Sequence, residues 1–201
     1  MPSSSAPLVV IALHGEAAGA FEAAGVPVLY CGVGKVNAAI ALTRELARCA
    51  LDGRPMPLVL NFGSAGSRNH PPGSLVSCHE FVQRDMDVSG LGFERGTTPF
   101  DPAPATLSFE PVFRDLPAAV CASGDSFATG AMEVASGVVD MEGYALAKAC
   151  WVHGASFACA KFVSDGADHG AAQDWKRNMH KAAQRFLSLY LSVVRQSADP
   201  G

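Results

Sequence analysis

A run that is apolar apart from Ser156 and Lys161, from Ala155 to Val163, stops abruptly at Ser164-Asp165-Gly166-Ala167-Asp168. A near-continuous apolar segment of strand length has no polar face to offer to water, so both its faces need covering. The run also delivers a carboxylate at the C-terminal tip of a buried strand, where open α/β sheets bind their ligands. An aspartate at such a tip can equally cap a turn or the next helix. Asp165 therefore carries weight only together with other segments built in the same way.

The order of elements is that of an α/β chain. Strands are expected at Leu8–Leu13, Val26–Val33, Leu58–Phe62, Ser74–Val82, Ala118–Ser123, Gly137–Met141 and Ala155–Ser164, rich in Val, Leu, Phe and Cys and bounded by Gly or Pro. Helical periodicity marks Lys35–Leu51, Glu142–Val152 and Ala171–Val194. In the last, Trp175, Met179, Ala182, Ala183, Phe186, Tyr190 and Val193 form one stripe. Arg84–Leu107 is rich in Gly, Pro and Asp without a period, which reads as a long loop or irregular hairpin. With 201 residues, 49% of them hydrophobic and 17% charged, the chain can bury one sizeable core. The expected organisation is a disordered tail over 1–7, a single catalytic domain over 8–195 and a disordered tail over 196–201.

Several function classes are disfavoured. The net charge is −4 and the basic residues are scattered, so nucleic acid and membrane are not expected partners. Leu8–Leu13 is too short to span a bilayer and no basic region precedes it, and no later stretch reaches the ~18 apolar residues of a spanning helix. The expectation is a soluble, cytoplasmic protein. The six cysteines have no Cys-x-x-Cys spacing and read as reduced core residues. The histidines form no His-x-x-x-His pair, so neither a metal nor another cofactor is expected. Gly32-Val33-Gly34-Lys35 imitates a phosphate loop, but Val36 follows the lysine and Leu29 stands where the first glycine belongs. Asn37 replaces the third glycine of a dinucleotide fingerprint. Gly63-Ser64-Ala65-Gly66 and Gly124-Asp125-Ser126-Phe127 do not match a nucleophile elbow.

What remains is a set of strand-end segments: Ala12-Leu13-His14-Gly15-Glu16, Asn61-Phe62-Gly63-Ser64-Ala65-Gly66, Ser123-Gly124-Asp125-Ser126-Phe127, Val139-Asp140-Met141-Glu142-Gly143 and Ser164-Asp165. Each pairs a small, Gly-rich turn with one or two polar groups. Glycines let backbone approach a ligand closely. Convergence of Glu16, Glu142 and Asp165 on one crevice would suit a sugar. Its hydroxyls need acceptors, its reacting carbon becomes cationic, and its leaving group needs a proton. Glu16 and Glu142 would also fit as first-turn helix residues favoured by the macrodipole.

Through Gly32-Val33-Gly34-Lys35-Val36-Asn37-Ala38-Ala39, Gly63-Ser64-Ala65-Gly66, Ser123-Gly124-Asp125-Ser126-Phe127, Val139-Asp140-Met141-Glu142 and Ser164-Asp165-Gly166-Ala167-Asp168, the chain resembles the 5′-methylthioadenosine/S-adenosylhomocysteine nucleosidase branch of the purine nucleoside phosphorylase superfamily. The motifs fall in the family's order and cover most of the chain. The resemblance implies a single-domain α/β fold: a mixed, twisted, partly closed β-sheet surrounded by helices, usually in a homodimer. It implies hydrolysis of the N-glycosidic bond of a purine nucleoside with release of adenine, a step of methionine salvage. By resemblance, Asp165 is the general acid at N7 of the purine and Glu16 the base that activates water. Glu142 holds the ribose hydroxyls, with Met141 against the sugar. Phe127 stacks on the purine and the backbone at Ala128 meets its edge. Ser64 and Lys161 lie near the water, and Ser164 beside the acid. Lys161 departs from the arginine of some relatives and supplies a point charge without the guanidinium fork.

Two segments are shorter than the family pattern: that between Glu16 and Gly32 lacks the usual hairpin, and Phe109–Val120 lacks a helix. Both reshape the pocket for the 5′ group. In relatives, the loop at Asp87–Pro99 lends apolar groups across the dimer. A phosphate-dependent phosphorylase is the main rival. It needs cations or a backbone nest, yet Asn61 stands where phosphorylase relatives have arginine, Leu13–Phe21 carries no Lys or Arg, and Arg68 is the one nearby substitute. Two further readings fit the same segments: a nucleosidase for a different 5′-modified purine nucleoside, and a non-catalytic nucleoside-binding module.

Overall fold

The computed structural model describes residues 6–126, 137–165 and 171–198. Its strands are β1 (Leu8–Ile11), β2 (Val28–Tyr30), β3 (Val59–Gly66), β4 (Leu75–Gln83), β5 (Thr106–Ser108), β6 (Ala118–Ser123), β7 (Val138–Asp140) and β8 (Phe157–Asp165). Its helices are α1 (His14–Ala17), α2 (Ala20–Ala23), α3 (Lys35–Leu51), α4 (Gly143–His153) and α5 (Ala171–Ala198). All belong to one mixed sheet and its covering helices.

The apolar runs dictate the sheet's centre. β3 pairs parallel with β8 from Val59–Phe157 through Ala65–Val163, and both strands are buried along nearly their whole described length. β8 continues antiparallel to β4, β4 parallel to β6, and β6 parallel to β7. β7 then returns to β3 through the pair Gly66–Val139. β3, β8, β4, β6 and β7 therefore close a ring, with β1 and β2 as a parallel wing on β3 and β5 antiparallel on β4. At the closing seam the Ser67 hydroxyl also donates to the Gly137 carbonyl at 2.6 Å. The mixed, partly closed sheet is the one expected.

Two apolar layers flank the sheet. On one side α3 and α4 bring Leu42, Leu46, Leu146 and Cys150 against Val59, Phe81 and Phe157. The buried positions of α3, Ala38, Leu42, Leu46 and Cys49, recur every three or four residues, and helical periodicity follows from that need. On the other side Phe186 and Tyr190 of α5 meet Phe21 and Phe62, with the Phe62 and Phe186 rings stacked at 5.3 Å. Emptying such a site costs about 3–5 kcal/mol. All six cysteines are unpaired and buried.

Several boundaries differ from the sequence reading. Gly63-Ser64-Ala65-Gly66 is not a turn but the second half of β3, because β8 supplies hydrogen-bonding partners as far as Asp165. β5 lies at the end of the segment read as a loop, and a 3₁₀ turn occupies Ser89–Leu91 within it. α1 and α2 are four residues each, too short to show a period. α5 continues to Ala198, past the expected start of the C-terminal tail, since no helix breaker precedes Pro200. Between β5 and β6 the chain has no helix, as read from the sequence.

Candidate active site

The end of β1 turns directly into α1, which lifts Glu16 over β3. Glu16 is the third residue of that short helix, and its Oε2 accepts the N-cap amide of Leu13 at 3.3 Å. Its Oε1 accepts both the N–H and the hydroxyl of Ser64, at 2.8 and 2.7 Å. The residue is 4% exposed, so a carboxylate that also serves as a cap is held inside the molecule by three donors.

Gly63 explains how this carboxylate reaches the strand. A Cβ at that position would lie 3.3 Å from Lys161 Nζ and 3.5 Å from Glu16 Oε1. The absence of a side chain lets a carboxylate and an ammonium share the space above β3. Lys161 is opposite Gly63 in the β3–β8 register, which fixes that neighbour by strand pairing.

Lys161 is buried and its Nζ sits 2.7 Å from Asp140 Oδ2. Burial opposes the ammonium's charge, but Asp140, the neighbouring thiols and Glu142 outweigh it and hold its pKa well above the ordinary lysine range. Burial likewise pushes Asp140 up, and Lys161, the Ser123 hydroxyl and the Gly143 N–H overcome it, leaving the carboxyl below its usual value. Gly143 N donates to Asp140 Oδ2 at 2.8 Å, and Tyr144 N donates to Ser123 Oγ at 2.7 Å, so the same cluster anchors the start of α4. Asp140 has no role in the sequence reading. Lys161 lies in the middle of β8 and Asp140 at the end of β7, and only the folded ring brings the two together, so the sequence carries no local signal of the pair.

Glu142 is the N-cap residue of α4, and its Oε1 accepts the Gly34 N–H at 2.9 Å. Burial and the negative charges of Asp140 and Glu16 raise its pKa to about 7, against the pull of Lys161 and the Gly34 amide. Met141 beside it is half-buried. Ser164 is buried, its hydroxyl 3.5 Å from the Ala65 carbonyl. The structure thus gathers Glu16, Ser64, Lys161 and Glu142 at one end of the ring. For Asp165 only the backbone is described, at the end of β8 opposite Gly66. Phe127 and Ala128 lie outside the described residues. Among the described residues no group of His, Cys, Asp and Glu could hold a metal ion, and no helix is long and apolar enough to cross a membrane.

The profile of the phosphorylase superfamily matches residues 8–195, and the chain belongs to that superfamily. Among its curated relatives, a 5′-methylthioadenosine/S-adenosylhomocysteine nucleosidase of Haemophilus influenzae strain PittEE is 30% identical over 190 residues, covering 84% of this chain and 80% of the relative. One of the same name from an Exiguobacterium species is 28% identical over 192 residues, covering 85% and 80%. Among solved structures, the Helicobacter pylori 5′-methylthioadenosine/S-adenosylhomocysteine nucleosidase complexed with a substituted pyrrolidin-3-ol superposes with a TM-score of 0.78 at 22% identity, over 93% of this chain and 98% of that one. A futalosine hydrolase mutant of Helicobacter pylori gives 0.78 at 22% identity, over 92% and 97%. The last two establish the shared fold.

Proposed function

We propose that this chain hydrolyses the N-glycosidic bond of a purine nucleoside, taking 5′-methylthioadenosine, S-adenosylhomocysteine or both, and releasing adenine. The observation that carries this reading is the buried Glu16–Ser64 pair beside Lys161, with Glu142 in the same crevice. In this reading the bond between C1′ and N9 breaks, its electrons pass to the purine, and Asp165 gives a proton to N7. Glu16 takes a proton from water as the oxygen adds to C1′, with Ser64 and Lys161 beside that water and Ser164 next to the acid. Glu142 accepts from the ribose hydroxyls and Met141 packs on the sugar. Phe127 stacks on the purine and Ala128 meets its edge. Positioned acids and bases each contribute about 10²–10⁴-fold in rate.

Hydrolysis is favoured over phosphorolysis by the state of the surrounding cations. Lys161 is paired with Asp140, Lys35 with Asp85 and Asp125, and the Arg84 guanidinium with the turn at Gly124–Ser126. Arg68 is exposed, beyond the end of β3. A dianionic co-substrate needs cations or amides that are not already engaged. We further place the chain in the cytoplasm as a homodimer whose loop at 84–100 caps the neighbouring copy's site. Support comes from Leu91 and Phe100, which are 74% and 96% exposed.

The deciding experiment is chromatographic measurement of base release from both nucleosides in phosphate-free buffer. Free adenine and free pentose are expected without phosphate. Activity only on adding phosphate, with a pentose 1-phosphate as product, would make the chain a phosphorylase.

A further inference from the structure

The first turn of α3 receives two carboxylates from distant parts of the chain. Gly34 N donates to Glu142 Oε1, and the next amide, Lys35 N, donates to Asp125 Oδ1 at 2.7 Å. Asp125 lies in the turn that leaves β6. Its own N–H donates to Asp85 Oδ2 at 2.9 Å, and Asp85 Oδ1 takes Lys35 Nζ at 2.5 Å. Lys35 Nζ also lies 3.8 Å from Asp125 Oδ2. Arg84 closes on the same turn from the other side. Its N–H donates to the Ser123 carbonyl at 2.9 Å, and its guanidinium to the Gly124 carbonyl at 3.3 Å, the Ser126 hydroxyl at 3.2 Å and the Ser126 carbonyl. The fit over the turn is close: a Cβ at Gly124 would lie 2.8 Å from Arg84 Cζ.

We propose that Lys35, Arg84 and Asp85 are positioning residues that clamp the turn Gly124–Ser126, which in sequence directly precedes the proposed purine contacts Phe127 and Ala128, to the first turn of α3 beside Glu142. This rests on the nucleosidase reading of the site. The lysine of the Gly-x-Gly-Lys sequence then has a role unrelated to phosphate: it bridges two aspartates.

The exposure of the clamp argues for position rather than stability. The Lys35, Asp85 and Asp125 side chains are 16%, 28% and 46% exposed, where ion pairs add little to folding. Their bonds to backbone amides are charge-assisted and directional. Base and sugar bind as one ligand, so a turn held in place beside Glu142 lets both ends of the substrate be engaged together, in the ground state and the transition state alike.

The test uses the whole protein with Asp85→Ala, Asp85→Glu and, as a control at the far end of α3, Asp52→Ala. Adenine is the binding probe, by calorimetry, and hydrogen exchange reads the amides of 124–126 without ligand. Asp85→Ala is expected to raise both the nucleoside KM and the adenine Kd about 10-fold, leave kcat within about 2-fold, and speed exchange at 124–126. Asp85→Glu should recover part of each effect, and Asp52→Ala should change none. Faster exchange with unchanged KM and Kd would overturn the proposal, as would a fall in kcat alone. So would a large drop in melting temperature that the glutamate variant does not mend. If the wild type binds adenine but hydrolyses no nucleoside, the nucleosidase reading fails while adenine affinity and exchange still decide the clamp. If it binds no adenine, both fall.

Discussion

Burial moves the titration of Glu142 toward neutrality. An ordinary glutamate releases its proton near 4.5, whereas burial, Asp140 and Glu16 hold this one to about 7 against Lys161 and the Gly34 amide. Between those values the folded chain binds a proton that the unfolded chain has lost. The group's contribution to stability is therefore complete below pH 4.5 and is lost as pH rises through 7. Glu142→Gln removes the titration. Urea unfolding should show the variant gaining about 3 kcal/mol relative to wild type between those limits. On the proposal that Glu142 accepts from the ribose hydroxyls, kcat/KM of the wild type should rise with pH through the same region, and that limb should vanish in the glutamine variant. A flat wild-type profile would remove Glu142 from the ribose.

At the scale of elements, β3 and β8 set the chemistry by register. Opposite Lys161 the strand must be bare, and Gly63→Ala tests that. The backbone tolerates alanine there, but its Cβ must displace the ammonium or the Glu16 carboxylate. The expected result is a loss of about 10–100-fold in kcat with a melting temperature close to wild type. Unchanged kcat would mean that the 3.3 Å approach carries no function. The same strand shows how much is legible in the sequence. Runs buried on both faces announce β3, β6 and β8, and a three-to-four residue period announces α3 with both its ends, because burial imposes those patterns directly. Local propensity favours a turn at Gly63–Gly66, and tertiary pairing with β8 overrides it. Glu16 and Glu142 stand out by their place just after apolar runs, whereas Ser64 and Lys161, which lie inside β3 and β8, are marked only by the family resemblance. Asp140 and the Lys35–Asp85–Asp125 bridge do not, because each joins residues far apart in sequence and no local pattern encodes such a meeting.

For the whole molecule, the exposed apolar groups call for a partner. Leu91 is 74% exposed and Phe100 96%, the latter held at φ 59°, where a bulky side chain is rarely found. Val36 and Ile40, one turn apart on α3, are 67% and 54% exposed. Light scattering should give a dimer, and the double change Leu91→Asp with Phe100→Asp should yield a folded monomer of much lower activity. An active wild-type monomer would remove the second copy from the site. The ring itself has an unequal weave. Among the described residues its seam carries the backbone pair Gly66–Val139 and the Ser67 hydroxyl on Gly137. Glu16 and Ser64 stand on one bank of that seam and Glu142 on the other, and the Lys161–Asp140 ion pair reaches across it. The barrel is fastened there by a buckle of charge as well as by a ladder, so the two banks of the crevice are drawn together by one ion pair.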